Sequence, residues 1–145
     1  ILVATAGGPH AELAIEIAIS QARQYRAETD EASEITLLTV VPAEADDVVV
    51  GRAERMLHNI ASHYTYPMSE KVICADDVVG GIVRESENHD LLLIGATGEG
   101  LFEQRILGSI PERVAREAPI TVTMTKRYWR LKSFLGRVRG HNQTS

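Results

Sequence analysis

The stretch Leu91-Leu92-Leu93-Ile94-Gly95-Ala96-Thr97-Gly98, running on through residues 99–107 to Gly108-Ser109, decides how this chain is read. Four consecutive aliphatic residues without polar alternation suit a strand buried on both faces, as in a parallel sheet covered by helices. The strand then empties into a segment, residues 95–109, that holds four of the chain's eleven glycines. That segment ends on Ser109-Ile110-Pro111-Glu112, a Ser-x-x-Glu capping box that marks Ser109 as the N-cap of a new helix. Glycines let a backbone approach a ligand closely, and a helix N-terminus presents free N–H groups with partial positive charge. Together they can cradle a phosphate, with Thr97 and Ser109 each able to add a hydroxyl. The alternative is purely structural: Gly95 and Gly98 make a turn, and Gly108 bends a loop.

Outward from this stretch the same alternation repeats. Ile1–Thr5 reads as a first strand, followed by Gly7-Gly8-Pro9, where Pro9 suits the first turn of a helix. Leu13, Ile17 and Ala18 recur at helical spacing, so residues 9–26 read as an amphipathic helix. Ile35–Val41 is the second strand, and Val49, Ala53, Met56, Leu57, Ile60, Ala61 and Tyr64 trace one face of a second helix closed by Pro67. Lys71–Ala75, Asp77–Asn88, Asp90–Ile94, Ser109–Glu117 and Ile120–Thr125 continue as strand, helix, strand, helix and strand. The expected fold is α/β: a doubly wound, five-stranded parallel sheet with helices on both faces. Residues 1–126 form this single domain, and residues 127–145 a basic amphipathic tail. Ligands of such sheets bind at the carboxyl ends of strands where the strand order reverses, so the loops after strands one, two and four are the places to search.

Bulk properties narrow the function classes. At 145 residues with 44% hydrophobic side chains the chain is long enough for one well-buried core. The single cysteine, Cys74, lies in an apolar stretch, makes no intrachain disulfide, and reads as a buried structural thiol. Lys126, Arg127, Arg130, Lys132, Arg137 and Arg139 meet no acid after residue 125, which leaves nine bases against twenty acids before it. So acidic a body argues against nucleic acid as a partner. No run approaches the ~20 apolar residues that span a bilayer. The chain opens on Ile1-Leu2-Val3 without a signal peptide or an initiator methionine, as expected of a piece of something longer. Asp76-Asp77, after the third strand, reads as a helix cap before a Mg²⁺ ligand pair. His10, His58, His63, His89 and His141 show no metal-ligand spacing, and His10 reads as a solvated residue at a helix start.

The spacing Gly95-Ala96-Thr97-Gly98, nine residues, Gly108-Ser109 resembles the nucleotide-phosphate motif of the universal stress protein family. Ile1–Thr5 looks like that family's first strand, Thr36–Val41 like its second, and Gly108 through Thr125 like its closing helix and strand, so the resemblance covers nearly all of residues 1–126. It implies ATP or AMP lying across the strand ends, with Mg²⁺ accompanying ATP. By resemblance, Thr5, Ala6 and Gly7 and the backbone at Val40 would flank the adenine. Gly95, Thr97, Gly98, Gly108, Ser109 and Ile110 would surround the ribose and phosphates. Three positions depart from the family pattern: Ala6 replaces an adenine-side Asp, Pro111 removes one helix-start N–H, and Ala75 stands where glycine is usual. Glu99 and Glu103 add negative charge to the loop, against Arg105 alone. The family has no settled hydrolytic constellation, and no Lys follows Gly108 as in a P-loop.

The resemblance also implies a homodimer through the last strand. Ile120-Thr121-Val122-Thr123-Met124-Thr125 alternates apolar residues with threonine, which suits an edge strand paired with its twin or one with a solvated threonine row. In the tail, a helix over Tyr128–Arg139 would gather Tyr128, Leu131, Phe134, Leu135 and Val138 on one face. It would lie on an anionic membrane surface, at about 1 kcal/mol per nearby cation, or pack on the acidic body. Thr5-Ala6-Gly7-Gly8-Pro9, Gly108-Ser109-Ile110-Pro111-Glu112, and Lys126-Arg127-Tyr128-Trp129 followed by Leu131–Leu135 look like universal stress domains at the cytoplasmic C-terminus of prokaryotic, archaeal-type amino-acid permeases. That resemblance implies a regulatory nucleotide-binding domain at the cytoplasmic face of a membrane, in contact with the membrane or transporter through Lys126–Arg139. A ligand-free homodimerisation module and a weak nucleotide hydrolase are the alternatives.

Overall fold

The computed structural model describes residues 1–95 and 110–126. Strands and helices alternate as the apolar runs require: β1 (Leu2–Ala4), α1 (Pro9–Thr29), β2 (Ile35–Val41), α2 (Asp47–Ala61), β3 (Met68–Cys74), α3 (Val78–Ser86), β4 (Leu91–Gly95), α4 (Ile110–Glu117) and β5 (Thr121–Thr125). Every neighbouring pair is parallel, in the order β3-β2-β1-β4-β5. The α/β doubly wound sheet expected from the sequence is what the chain forms.

Side chains alternate across the sheet and build two cores. Val3, Ile35, Leu37 and Leu93 face α1 and α2, where Ala14, Ile15, Ala18, Ile19, Ala22 and Leu57 meet them. Leu2, Ala4, Leu38, Leu92 and Ile94 face α3 and α4, against Val79, Ile82 and Val114. Leu2, Leu37, Leu38, Leu92 and Leu93 are wholly buried, each worth about 1.5–3 kcal/mol of transfer free energy. In α1 the buried stripe is Ala11, Ala14, Ile15, Ala18, Ile19 and Ala22, so Leu13 and Ile17 sit on its half-buried flanks and not at its centre. Alanines at the closest approach let the helix axis lie near the sheet. The helix ends at Asp30, which takes a left-handed φ of 61° and donates its N–H to Arg26 O at 2.9 Å.

Three expectations need correction. The third strand begins at Met68, not Lys71, and Ser69, Glu70 and Lys71 are exposed because β3 is an edge strand. Helices hold two of its charges: His58 Nδ1 lies 3.2 Å from Glu70 Oε1, and Lys71 Nζ lies 2.8 Å from both carboxylate oxygens of Glu85. Cys74, expected to be buried, is exposed, since it closes that same edge strand. On β5 the threonine row is not uniformly solvated: Thr125 is 3% exposed, whereas Met124 is 52% exposed.

Candidate functional site

Two sheet halves grow outward from the β1/β4 pair, so the strand order reverses there. The helices that follow these strands leave to opposite faces, α1 to one core and α4 to the other. In open α/β sheets such a switch point opens a crevice outside the carboxyl ends of the two strands, here β1 and β4. Thr5, Ala6 and Gly7 follow β1 at that end, Val40 stands near the end of β2, and Gly95 closes β4. Ala4 pairs with both Leu38 and Ile94, which sets Thr5 level with Thr39 and Gly95. Ile110, half-buried, opens α4 and packs against the second core. Thr97, Gly98, Gly108 and Ser109 lie outside the described residues, as do the capping box's first residue and the tail from residue 127.

The loop after β1 is held by its own hydroxyls. Thr5 N–H still donates to Leu38 O at 2.9 Å, and the Thr39 hydroxyl donates to Thr5 O at 2.6 Å. Gly7 N–H donates to Thr5 Oγ1 at 2.9 Å, closing a short turn. The turn needs glycine, since Gly7 and Gly8 both sit at φ 87° and a Cβ on Gly7 would come 3.2 Å from Met56 Sδ. Alternation along β2 turns the Val40 N–H toward β1, where the chain has left the sheet after Thr5, so a main-chain donor faces the crevice beside the loop. Ala6 contributes no carboxylate. The Ala75 position is explained by α3: a Cβ on Gly81 would lie 3.2 Å from Ala75 Cβ, 3.3 Å from Ile73 Cδ1 and 3.3 Å from Val40 Cγ1.

Asp77 is the cap that its position suggests. Its carboxylate accepts from Val79 N–H at 3.3 Å and Gly80 N–H at 3.2 Å, and Arg113 of α4 approaches it at 3.6 Å. Arg113 also stands 3.7 Å from Glu117. His63 bonds Asn59 O, while His89 spans Glu85 O and the Thr36 hydroxyl. Among the described residues no group of three or more His, Cys, Asp or Glu could hold a metal, and no helix is long and apolar enough to cross a membrane. An open groove of about 450 Å³ occurs at the opposite end of the sheet, where Arg23, Arg26, Ser33, Tyr66 and Met68 surround the starts of β2 and β3. The Tyr66 hydroxyl donates to Ser33 O there at 2.6 Å, tying the two strand entries together.

Sequence reading missed two groups at the crevice. Thr39 lies inside β2 and carries the bond that holds Thr5. Thr125 is buried with a hydroxyl that has no partner among the described residues. Neither was legible in the sequence, because the face a threonine takes depends on strand register.

Solved structures share this architecture. The universal stress protein UspA from Lactobacillus plantarum is 20% identical, with 86% of this chain and 94% of that one covered and a TM-score of 0.65. A universal stress protein from Archaeoglobus fulgidus is 19% identical, with coverage of 86% and 96% and a TM-score of 0.67. A universal stress protein solved in complex with cAMP is 21% identical, with coverage of 85% and 92% and a TM-score of 0.58. No curated protein matches the chain. The family model described as "Universal stress protein family" matches residues 1–126, from the first strand to the end of the last, and the chain therefore belongs to the universal stress protein family.

Proposed function

We propose that this chain is a regulatory domain that binds an adenine nucleotide, ATP or AMP, across the carboxyl ends of β1, β2 and β4. The observation that carries the reading is the reversal of strand order at β1 and β4. A turn of two glycines at positive φ is pinned there by Thr5 and Thr39, and the register of β2 turns the Val40 N–H toward β1. The family relative in complex with cAMP supports an adenine nucleotide as the ligand class. In this reading Thr5, Ala6, Gly7 and Val40 flank the base, with recognition by backbone because Ala6 supplies no acid. Gly95, Thr97, Gly98, Gly108, Ser109 and Ile110 surround the ribose and phosphates. Any Mg²⁺ arrives with the triphosphate.

The basic residues Lys126–Arg139 and the loop and tail motifs support attachment to a membrane amino-acid transporter, at the cytoplasmic face of the bilayer. Homodimerisation through β5 is the second reading, favoured by Met124 standing 52% exposed on an edge strand. Isothermal titration with ATP, AMP and cAMP separates the two. Binding at micromolar ligand is the expected result. No heat with any of the three up to millimolar concentration overturns nucleotide sensing and leaves the dimer module.

A further inference from the structure

Three threonines stand level at the carboxyl end of the sheet. Thr5 is one step beyond Ala4, which pairs with Leu38 and Ile94, so Thr39, Thr5 and Gly95 share a rung, and Gly95 pairs in turn with Thr125. Two residues earlier on three of these strands, Leu37, Val3 and Leu93 belong to the core beneath α1 and α2. Residues two apart on a strand share a face, so all three threonines project to that side. Gly95, with no side chain, lies between Thr5 and Thr125. Adjacent strands are about 4.8 Å apart, which leaves roughly 9–10 Å between these two threonines with no side chain on the rung between them.

The three hydroxyls differ in what they do. Thr39 donates to Thr5 O, and Thr5 Oγ1 accepts from Gly7 N–H. Among the described residues Thr125 Oγ1 has no partner, although the residue is 3% exposed. A buried hydroxyl left unbonded is strongly disfavoured, and valine would fill the same volume without that penalty. The neighbours on its rung are a glycine and a second hydroxyl, both uncharged. That setting suits a neutral partner able to donate and accept, and not a phosphate, whose burial calls for charged donors.

We propose that Thr125 Oγ1 hydrogen-bonds a sugar hydroxyl of the bound nucleotide, reaching it through the gap left by Gly95. The inference rests on the nucleotide-binding reading above. A water molecule offers the same O–H chemistry, and the experiment separates the two sources.

Titrations of the full chain with AMP, 2′-deoxy-AMP and 3′-deoxy-AMP are compared for the wild type, Thr125→Val and Thr125→Ser. The wild type prefers AMP over one of the deoxy ligands by about threefold to tenfold, the worth of one hydrogen bond. Thr125→Val weakens AMP by the same factor and binds AMP and that deoxy ligand equally, while its melting temperature equals or exceeds the wild type's. Thr125→Ser restores both affinity and preference. Unchanged AMP affinity in Thr125→Val overturns the proposal, and a lowered melting temperature beside it assigns the hydroxyl to a bound water. Weaker AMP binding with the deoxy preference intact also overturns it. A wild type that binds AMP without a deoxy preference defeats this inference alone, whereas a wild type that binds no nucleotide defeats the functional reading with it.

Discussion

Replacing Thr39 by valine tests whether one hydroxyl holds the loop after β1. Thr39 is 6% exposed and its hydroxyl donates to Thr5 O at 2.6 Å. Removing a donor from a buried carbonyl costs about 1–3 kcal/mol, and the half-buried position of Thr5 places this case near the lower end, about 1.5 kcal/mol. The added methyl regains at most about 0.8 kcal/mol by burial. The net loss is therefore about 1 kcal/mol, which lowers the melting temperature by about 2–4 °C for a chain of this size. Thr5 and Gly7 are also less well ordered before binding, so part of the ordering entropy is drawn from the binding free energy, and AMP affinity falls by about threefold to tenfold. Thr39→Ser loses a methyl but keeps the donor: it melts lower and binds AMP as the wild type does. Urea denaturation and isothermal titration on the three proteins provide both readouts. Thr39→Val equal to the wild type in both, or Thr39→Ser as weak a binder as Thr39→Val, would refute the assignment.

Two further substitutions probe the face that supports the crevice from below. Gly80→Ala and Gly81→Ala each gain about 1 kcal/mol of helix propensity. A Cβ at 80 meets only the movable Asp77 carboxylate, at 3.3 Å, but one at 81 meets Ala75, Ile73 and Val40 together within 3.3 Å. Overpacking of that kind costs about 1–3 kcal/mol, so Gly81→Ala should unfold at lower urea than the wild type and Gly80→Ala at the same or higher concentration; equal midpoints for the two variants contradict the packing described. Asp77→Ala removes the α3 cap and the Arg113 contact and should cost about 0.5–2 kcal/mol, while Asp77→Asn retains most of the stability because the cap, not the exposed ion pair, carries the effect. An Asn variant as unstable as the Ala variant would reverse that ranking.

The sheet was legible where burial leaves one choice. Apart from Thr36 and Thr39, Ile35–Val41 and Leu91–Ile94 are aliphatic because both faces are covered, and their strands start and end within a residue of where the sequence places them. At the edges that logic fails. Met68-Ser69-Glu70 does not read as strand, because the charge it carries is held by His58, a residue remote in sequence. Cys74 looks buried because its neighbours are apolar, yet it is exposed at the end of an edge strand. The glycine turn after β1 could be read from Gly7-Gly8-Pro9, since a positive φ has few other sources. The hydroxyl pattern could not, because whether a threonine is solvated or buried depends on register: only pairing with Gly95 sets Thr125 on the inner face.

The two borders of the sheet are unlike in a way that limits assembly. Along β3 the exposed run alternates signs and is tethered to the helices on either side, which discourages another strand from zipping onto it. Along β5 the border carries threonines and a methionine and no ionised side chain. In the proposed homodimer, pairing through β5 would occupy that border on both copies. Growth into fibres, which needs a complementary border on each side, would then stop at the first step.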